Sequence, residues 1–169
     1  MLVRHHTTPE AVSVASYSAC ENYRYSLCRT WDPQGLRVMF LMLNPSTATE
    51  MQNDPTVGRC EQRARRLGFG SFEVTNIFAW RATDPRNMRA ADDPVGTQND
   101  AAILQGAARS DRIIAAWGVH GAHQGRGVAV AALLRAQNHA LFHLGLSKAG
   151  HPKHPLYLPY AQQPVVWAE

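Results

Sequence analysis

Four polar loops hold most of the residues in this chain that could do chemistry. They are Asn44-Pro45-Ser46-Thr47, the stretch from Asn76 through Trp80 to Arg81, the segment Gly118–His123, and His151-Pro152-Lys153-His154-Pro155. A carboxamide offers both a donor and an acceptor, so Asn44 and Asn76 can each hold a water or read a polar ring edge. An imidazole exchanges its proton near neutral pH, which makes His154 and His151 candidates for proton or hydrogen-bond donation. Ser46 and Thr47 offer hydroxyls and backbone amides to phosphate oxygens. Arg81 and Lys153 could grip phosphate, and Trp80 could stack on a base. Asp54 could supply a general base. Each residue also has a plainer reading: Asn44 capping a turn before Pro45, Asp54 capping a helix, Asn76 bonded to backbone at a strand end, Trp80 as a core lid. The eight histidines include no HExxH spacing and the three cysteines no CxxC pair, so neither a metal nor any other cofactor is expected.

These loops fall where a regular alternation of elements would place them. Tyr23–Trp31 reads as a strand, closed by the turn signal Asp32-Pro33-Gln34-Gly35. Val38–Leu43 is a continuous apolar run of the kind found in a strand covered on both faces. Asp54-Pro55 opens a predicted helix that reaches about Leu67, with Asp at the N-cap and Pro at the first helical position. Phe72–Phe78, Arg112–Trp117 and Ala140–Leu144 read as further strands, and Thr97–Ala108 and Gly127–Gln137 as helices. Residues 1–16 read as irregular, and Gly150–Pro159 as a Pro- and His-rich loop. Strands alternating with helices predict a parallel sheet of about four core strands, whose ligands bind beyond the C-terminal strand ends. All four polar loops lie at such ends.

The length of 169 residues suits one domain with one core, and 45% hydrophobic with 18% charged residues suits a folded protein rather than a disordered one. No apolar run approaches the roughly 20 residues that span a bilayer, and no signal-peptide core opens the chain, so a cytosolic protein without a membrane partner is expected. The net charge is +4, carried almost wholly by arginine. Arg59, Arg63, Arg65 and Arg66 form the densest cluster, readable either as a solvated helix face or as a nucleic-acid contact.

The ordered motifs resemble those of the uracil-DNA-glycosylase superfamily. The run MLNPSTA is similar to that superfamily's first motif, in which a strand enters a G-x-[D/N/A]-P loop; mismatch-specific members carry Asn where Asn44 stands. DPTVGRCEQRARRLG resembles the "PFVGxAGxxL" helix of the iron–sulfur branch, VTNIFAWRATDP its "ITNxxKCRPP" strand and loop, and HPLYLP its "HPxxLL" terminal motif. The four agree in order over roughly residues 36–160. The stretch from YRYSLCRTW through LNPSTA to KHPLYLP also resembles the family listed as domain of unknown function 1643, a name that carries no activity.

The superfamily resemblance implies a single glycosylase-like domain over residues 1–169, folded as a three-layer α/β/α sandwich around a central, mainly parallel four-stranded sheet. It implies hydrolysis of the N-glycosidic bond of a uracil-like or modified base in DNA, with no cofactor and a monomeric chain. Asn44 would hold the attacking water, His154 would donate to the base oxygen, and Asn76 would read the base edge. Pro45, Ser46, Thr47, Trp80, Arg81 and Lys153 would contact the substrate. The chain departs from the pattern in three places: the cluster cysteines are missing, Thr56 stands where the motif has its stacking Phe, and Leu156 follows His154-Pro155 where uracil enzymes place Ser. A larger or modified base is therefore expected. Two other functions compete: a catalytically inactive nucleic-acid-binding module, and a hydrolase of free nucleosides or nucleotides.

Overall fold

The computed structural model describes residues 1–169. The chain begins with three strands, β1 (Leu2–Thr7), β2 (Val12–Tyr17) and β3 (Arg24–Thr30), which pair antiparallel in succession. Next come β4 (Arg37–Met42), α1 (Pro55–Arg66), β5 (Ser71–Asn76), the short α2 (Pro85–Ala90), α3 (Asn99–Ala108), β6 (Arg112–Ala115), α4 (Arg126–Ala136), β7 (Phe142–His143) and β8 (Val165–Val166). Together the strands form one eight-stranded sheet in the order β1-β2-β3-β5-β4-β6-β7-β8.

Alternation along the central strands decides what covers each face. Val38, Phe40 and Met42 of β4 point to one side, where they meet Val57, Cys60 and Ala64 of α1. Met39 and Leu41 point to the other, where they meet Ile103 and Ala107 of α3 and Val130, Ala131 and Leu134 of α4. A strand buried on both faces must be apolar at nearly every position, which is why VMFLML is continuous. The Asp54 carboxylate starts α1 by accepting the Val57 backbone N–H at 2.8 Å, with Pro55 at the first helical position. Where β5 begins, the chain passes so close to the turn after β3 that a Cβ on Gly70 would lie 2.2 Å from the Asp32 carbonyl oxygen, a contact open only to glycine.

The sheet corrects the expected architecture. It has eight strands rather than four, and four of its seven pairings are antiparallel: β1–β2, β2–β3, β3–β5 and β7–β8. A mainly parallel four-stranded sheet in an α/β/α sandwich is therefore not the fold of this chain. Residues 1–16, read as irregular, form the β1–β2 hairpin instead. β1 is LVRHHT, polar and exposed at most positions because it is an edge strand whose outer side needs no apolar cover. β8 is two residues long and exposed. Apolar-run reasoning detects central strands and passes over edges of this kind. No helix is long and apolar enough to cross a membrane.

Candidate functional site

At the C-terminal ends of β4 and β5 lies a cavity of about 40 Å³, lined among others by Arg24, Asn44, Ser46, Asp54, Asn76 and His154. The volume holds roughly three waters. It is large enough for the polar edge of a ring and too small for a whole nucleobase, and Ser46 and Thr56 are half-exposed in its lining.

Asn44 leaves β4 and turns toward the segment after β5. Its Nδ2 donates to the carbonyls of Ala82 at 2.8 Å and Pro45 at 3.1 Å. The Ala82 backbone N–H returns a bond to the Pro45 carbonyl at 2.9 Å, and the Ser46 hydroxyl meets that of Thr83 at 3.2 Å. The two loops are thus laced together. With both amide hydrogens spent, Asn44 presents Oδ1, an acceptor without a protein donor.

Asn76 ends β5 and is only 2% exposed, yet its Oδ1 has no hydrogen-bond partner. Its backbone is held from the opposite side of the sheet. Nδ2 of Asn99, on α3, donates to the carbonyls of Asn76 at 2.8 Å and Ile77 at 3.2 Å, and Nε of Arg126, on α4, donates to Ile77 at 2.7 Å. A buried carboxamide oxygen left unpaired costs about 1–3 kcal/mol, and this one is an acceptor open to a donor.

His154 stands at the start of a short 3₁₀ turn, Pro155–Tyr157. Its Nδ1 accepts the Leu156 backbone N–H at 3.3 Å. Burial pushes the imidazole below its usual range, against a smaller opposing pull from Asp54, so it is neutral at pH 7. A neutral imidazole that accepts at Nδ1 carries its proton on Nε2. Gly118, after β6, takes a φ of 73° that favours glycine, and it passes within van der Waals contact of His154. His151 lines a different hollow, a groove of about 600 Å³ along α4 walled by Trp117 and Trp167. That groove is the larger of the two but contains none of the residues around Asn44.

Asp54 lines the cavity while both of its oxygens are occupied, one by the Val57 N–H and the other by the Ala48 N–H at 3.2 Å. Its capping role and its place at the site coincide. Arg24 was not singled out from the sequence. It lies on β3, 1% exposed, and donates Nη1 to the Ala48 carbonyl at 2.8 Å. Burial lowers its guanidinium to about 10, leaving it cationic at neutral pH. Arg29, farther along β3, donates to the carbonyls of Thr49, Glu50 and Gln52. Two arginines of one strand therefore shape the loop between Asn44 and Asp54. An arginine inside a strand that otherwise reads as half-buried was the signal available in the sequence.

Trp80, Arg81, Thr47 and Lys153 fall outside the cavity. Trp80 packs on the core and meets Tyr23 edge-on with ring centroids 5.3 Å apart. Arg81 donates to the Glu21 carbonyl at 3.1 Å and lies over Tyr17. Thr47 and Lys153 are exposed and do not line the cavity, whereas Pro45 and Ser46 do. Of the arginine cluster on α1, Arg59 and Arg63 are turned onto the protein itself, while Arg65 and Arg66 are exposed. Arg59 and Arg63 donate to the Leu158 carbonyl, Arg63 also to those of Pro159 and Gln162, and the guanidinium groups of Arg59 and Arg66 stack on Tyr160 about 4 Å from its ring centre. They clamp the tail that carries His154.

No group of three or more His, Cys, Asp or Glu side chains is placed to hold a metal ion. No curated protein and no solved structure matches the chain. A family model matches residues 24–156, a span that takes in Arg24, the Asn44 loop, Asn76 and His154, and the chain belongs to the family described as Protein of unknown function (DUF1643).

Proposed function

We propose that the cavity binds the edge of a uracil-like or modified base and that the protein hydrolyses the N-glycosidic bond holding that base in DNA. One observation carries the reading. Asn44, Asn76 and His154, from three separate parts of the chain, bring to one cavity a free acceptor, an unpaired buried carboxamide and a neutral Nε2–H donor. Cleaving such a bond leaves cationic character on the sugar and negative charge on the base. It needs a held water, a donor to the base oxygen and recognition of the base edge. Asn44 Oδ1 holds the water, His154 Nε2–H donates to the oxygen, and Asn76 pairs with the edge. The motif resemblance to the uracil-DNA-glycosylase superfamily supports the same roles.

The test incubates the protein with oligonucleotides containing uracil, mismatched thymine and bulky modified pyrimidines, followed by alkali to reveal abasic sites. Strand scission with one of them, lost in His154→Ala, is the expected result. No scission with any would refute hydrolysis in DNA. The occupied arginines favour a second reading, hydrolysis of a free nucleoside or nucleotide, because Arg59, Arg63 and Arg81 are spent on the protein itself. Release of free base from nucleosides, with oligonucleotides left intact, would establish that reading instead.

A further inference from the structure

Arg24 is a cation buried without a carboxylate partner. It is 1% exposed, forms no ion pair, and its Nε hydrogen meets no acceptor. Its single bond goes to the Ala48 carbonyl. An uncompensated buried charge costs several kcal/mol, and an apolar side chain would fill the same place more cheaply. The charged groups around it are Asp54 at the start of α1, Tyr17 on β2, Arg29 on its own strand, and Arg81 after β5. Tyr17 is neutral, pushed up to about 12 by burial and by its bond to Glu50. The only anion of the set is Asp54, both of whose oxygens already accept backbone N–H groups, and two of the neighbours are further cations. Arg29 is offset by Glu61 and Glu50, so Arg24 is the buried cation left with no anion bonded to it, and it lines the same cavity as Asn76 and His154.

We infer that Arg24 makes this cavity a receptor for a base in its anionic form, so that the preferred substrates are bases with an acidic ring N–H, which depart as anions. The inference rests on the base-binding reading above and names the charge state that the reading leaves open. A delocalised ring monoanion suits the site better than a phosphate dianion. Asp54 shares the cavity and repels the second charge, while the carboxamide of Asn76 and the Nε2–H of His154 match the oxygens and nitrogen of an imide edge. Asp54 also complements the other half of the reaction, because it places a negative charge on the cavity wall where positive character on the sugar can be met. The neutral Asn44 provides no such charge.

The experiment measures binding of free bases at pH 8 by calorimetry, where His154 is neutral. Uracil, uncharged at that pH, is compared with 5-nitrouracil and barbiturate, which are anions. A hydrogen bond to a charged group contributes enough for a preference of roughly ten- to a hundred-fold for the anions in the native protein. Arg24→Gln should reduce the preference to within about two-fold, and Arg24→Lys, which keeps the charge, should retain most of it. Circular dichroism checks the fold of both variants. Equal affinity for neutral and anionic bases in the native protein overturns the inference whatever the variants do, and so does a preference that survives Arg24→Gln. Binding of no base at all overturns the base-binding reading together with it. Anion-selective binding without scission of any oligonucleotide or nucleoside keeps Arg24 as the anion receptor and overturns both hydrolysis and the departure of the base as an anion.

Discussion

The backbone N–H of Leu156 donates to His154 Nδ1 at 3.3 Å, and that bond fixes which nitrogen of the imidazole faces the cavity with a proton. The Leu156 bond exists only while Nδ1 is unprotonated, because a protonated Nδ1 cannot accept. Burial holds the folded-state pKa of His154 below its ordinary value of 6.5. The unfolded chain therefore binds this proton more readily than the folded one. Stability from this residue is complete above about pH 6.5 and declines as the pH falls toward the folded pKa. His154→Asn keeps an acceptor for the Leu156 N–H and removes the titration. Melting temperatures from pH 7.5 down to 5 should drop less steeply in the variant than in the native protein. Parallel curves would contradict the buried neutral state. His143, also lowered by burial, is present in both proteins and cancels in the comparison.

Asp54 separates a structural role from an electrostatic one. Asp54→Ala removes the acceptor for Val57 and Ala48, and a lost N-cap costs about 1 kcal/mol. Asp54→Asn keeps an acceptor for Val57 and should retain most of that stability. It nevertheless removes a negative charge that raises the His154 pKa, so the histidine should titrate lower in Asp54→Asn than in the native protein. Chemical denaturation measures the first effect and the imidazole NMR shift the second. An unmoved His154 titration would show that the two residues do not sense each other.

The convergence of the Asn44 loop, Asn76 and His154 was legible because each follows an apolar strand in a chain that alternates strands and helices. The start of α1 was legible because Asp-Pro is a strong local signal. What stayed hidden was long-range. An arginine inside β3 stands out, but its partner Ala48 does not, since that contact depends on β5 slipping between β3 and β4. Arg59 and Arg63 looked like solvent-facing charge because helical spacing reveals a face and not what covers it. The cover is the tail around Tyr160, almost a hundred residues later. Antiparallel β1 and β8 escaped because short or polar edge strands carry no apolar period.

The tail clamp predicts how oligonucleotide binding responds to salt. Arg59 and Arg63 are bonded to tail carbonyls, and Arg65 pairs with Glu61 and stacks on Trp31. Exposed cations without an ion pair, among them Arg66, Lys148 and Lys153, are scattered rather than gathered on α1. The slope of log affinity against log salt should be shallow, about −1 to −2. A slope near −5 would mean that the tail leaves α1 on binding. Arg63→Met tests the clamp directly. It removes the donor to the Gln162 carbonyl and one of two donors to those of Leu158 and Pro159, and should cost about 1 kcal/mol, with faster hydrogen exchange over residues 156–162. Unchanged exchange there would show that Arg63 does not hold the tail.

Asn44→Asp is the most discriminating substitution at the site, because chemistry and packing pull it in opposite directions. A carboxylate is a stronger base than a carboxamide oxygen, so replacing Asn44 considered only for its chemistry should speed attack by the held water. In the fold, however, Nδ2 of Asn44 donates to the carbonyls of Ala82 and Pro45. Aspartate would turn an oxygen toward those two acceptors, leaving the Ala82 carbonyl without a donor and the Pro45 carbonyl with the Ala82 N–H alone. The penalty is about 1–3 kcal/mol, and the lacing between the Asn44 loop and the segment around Ala82 should loosen. The expected outcome is a lower melting temperature and a rate no higher than that of the native protein. Protonation of the new carboxyl restores one donor, so the stability gap between variant and native protein should narrow as the pH falls through the range of a carboxylic acid. Melting curves at pH 7.5 and 5 measure that gap. A variant as stable as the native protein at pH 7.5 would mean that the Ala82 and Pro45 bonds do not position Asn44.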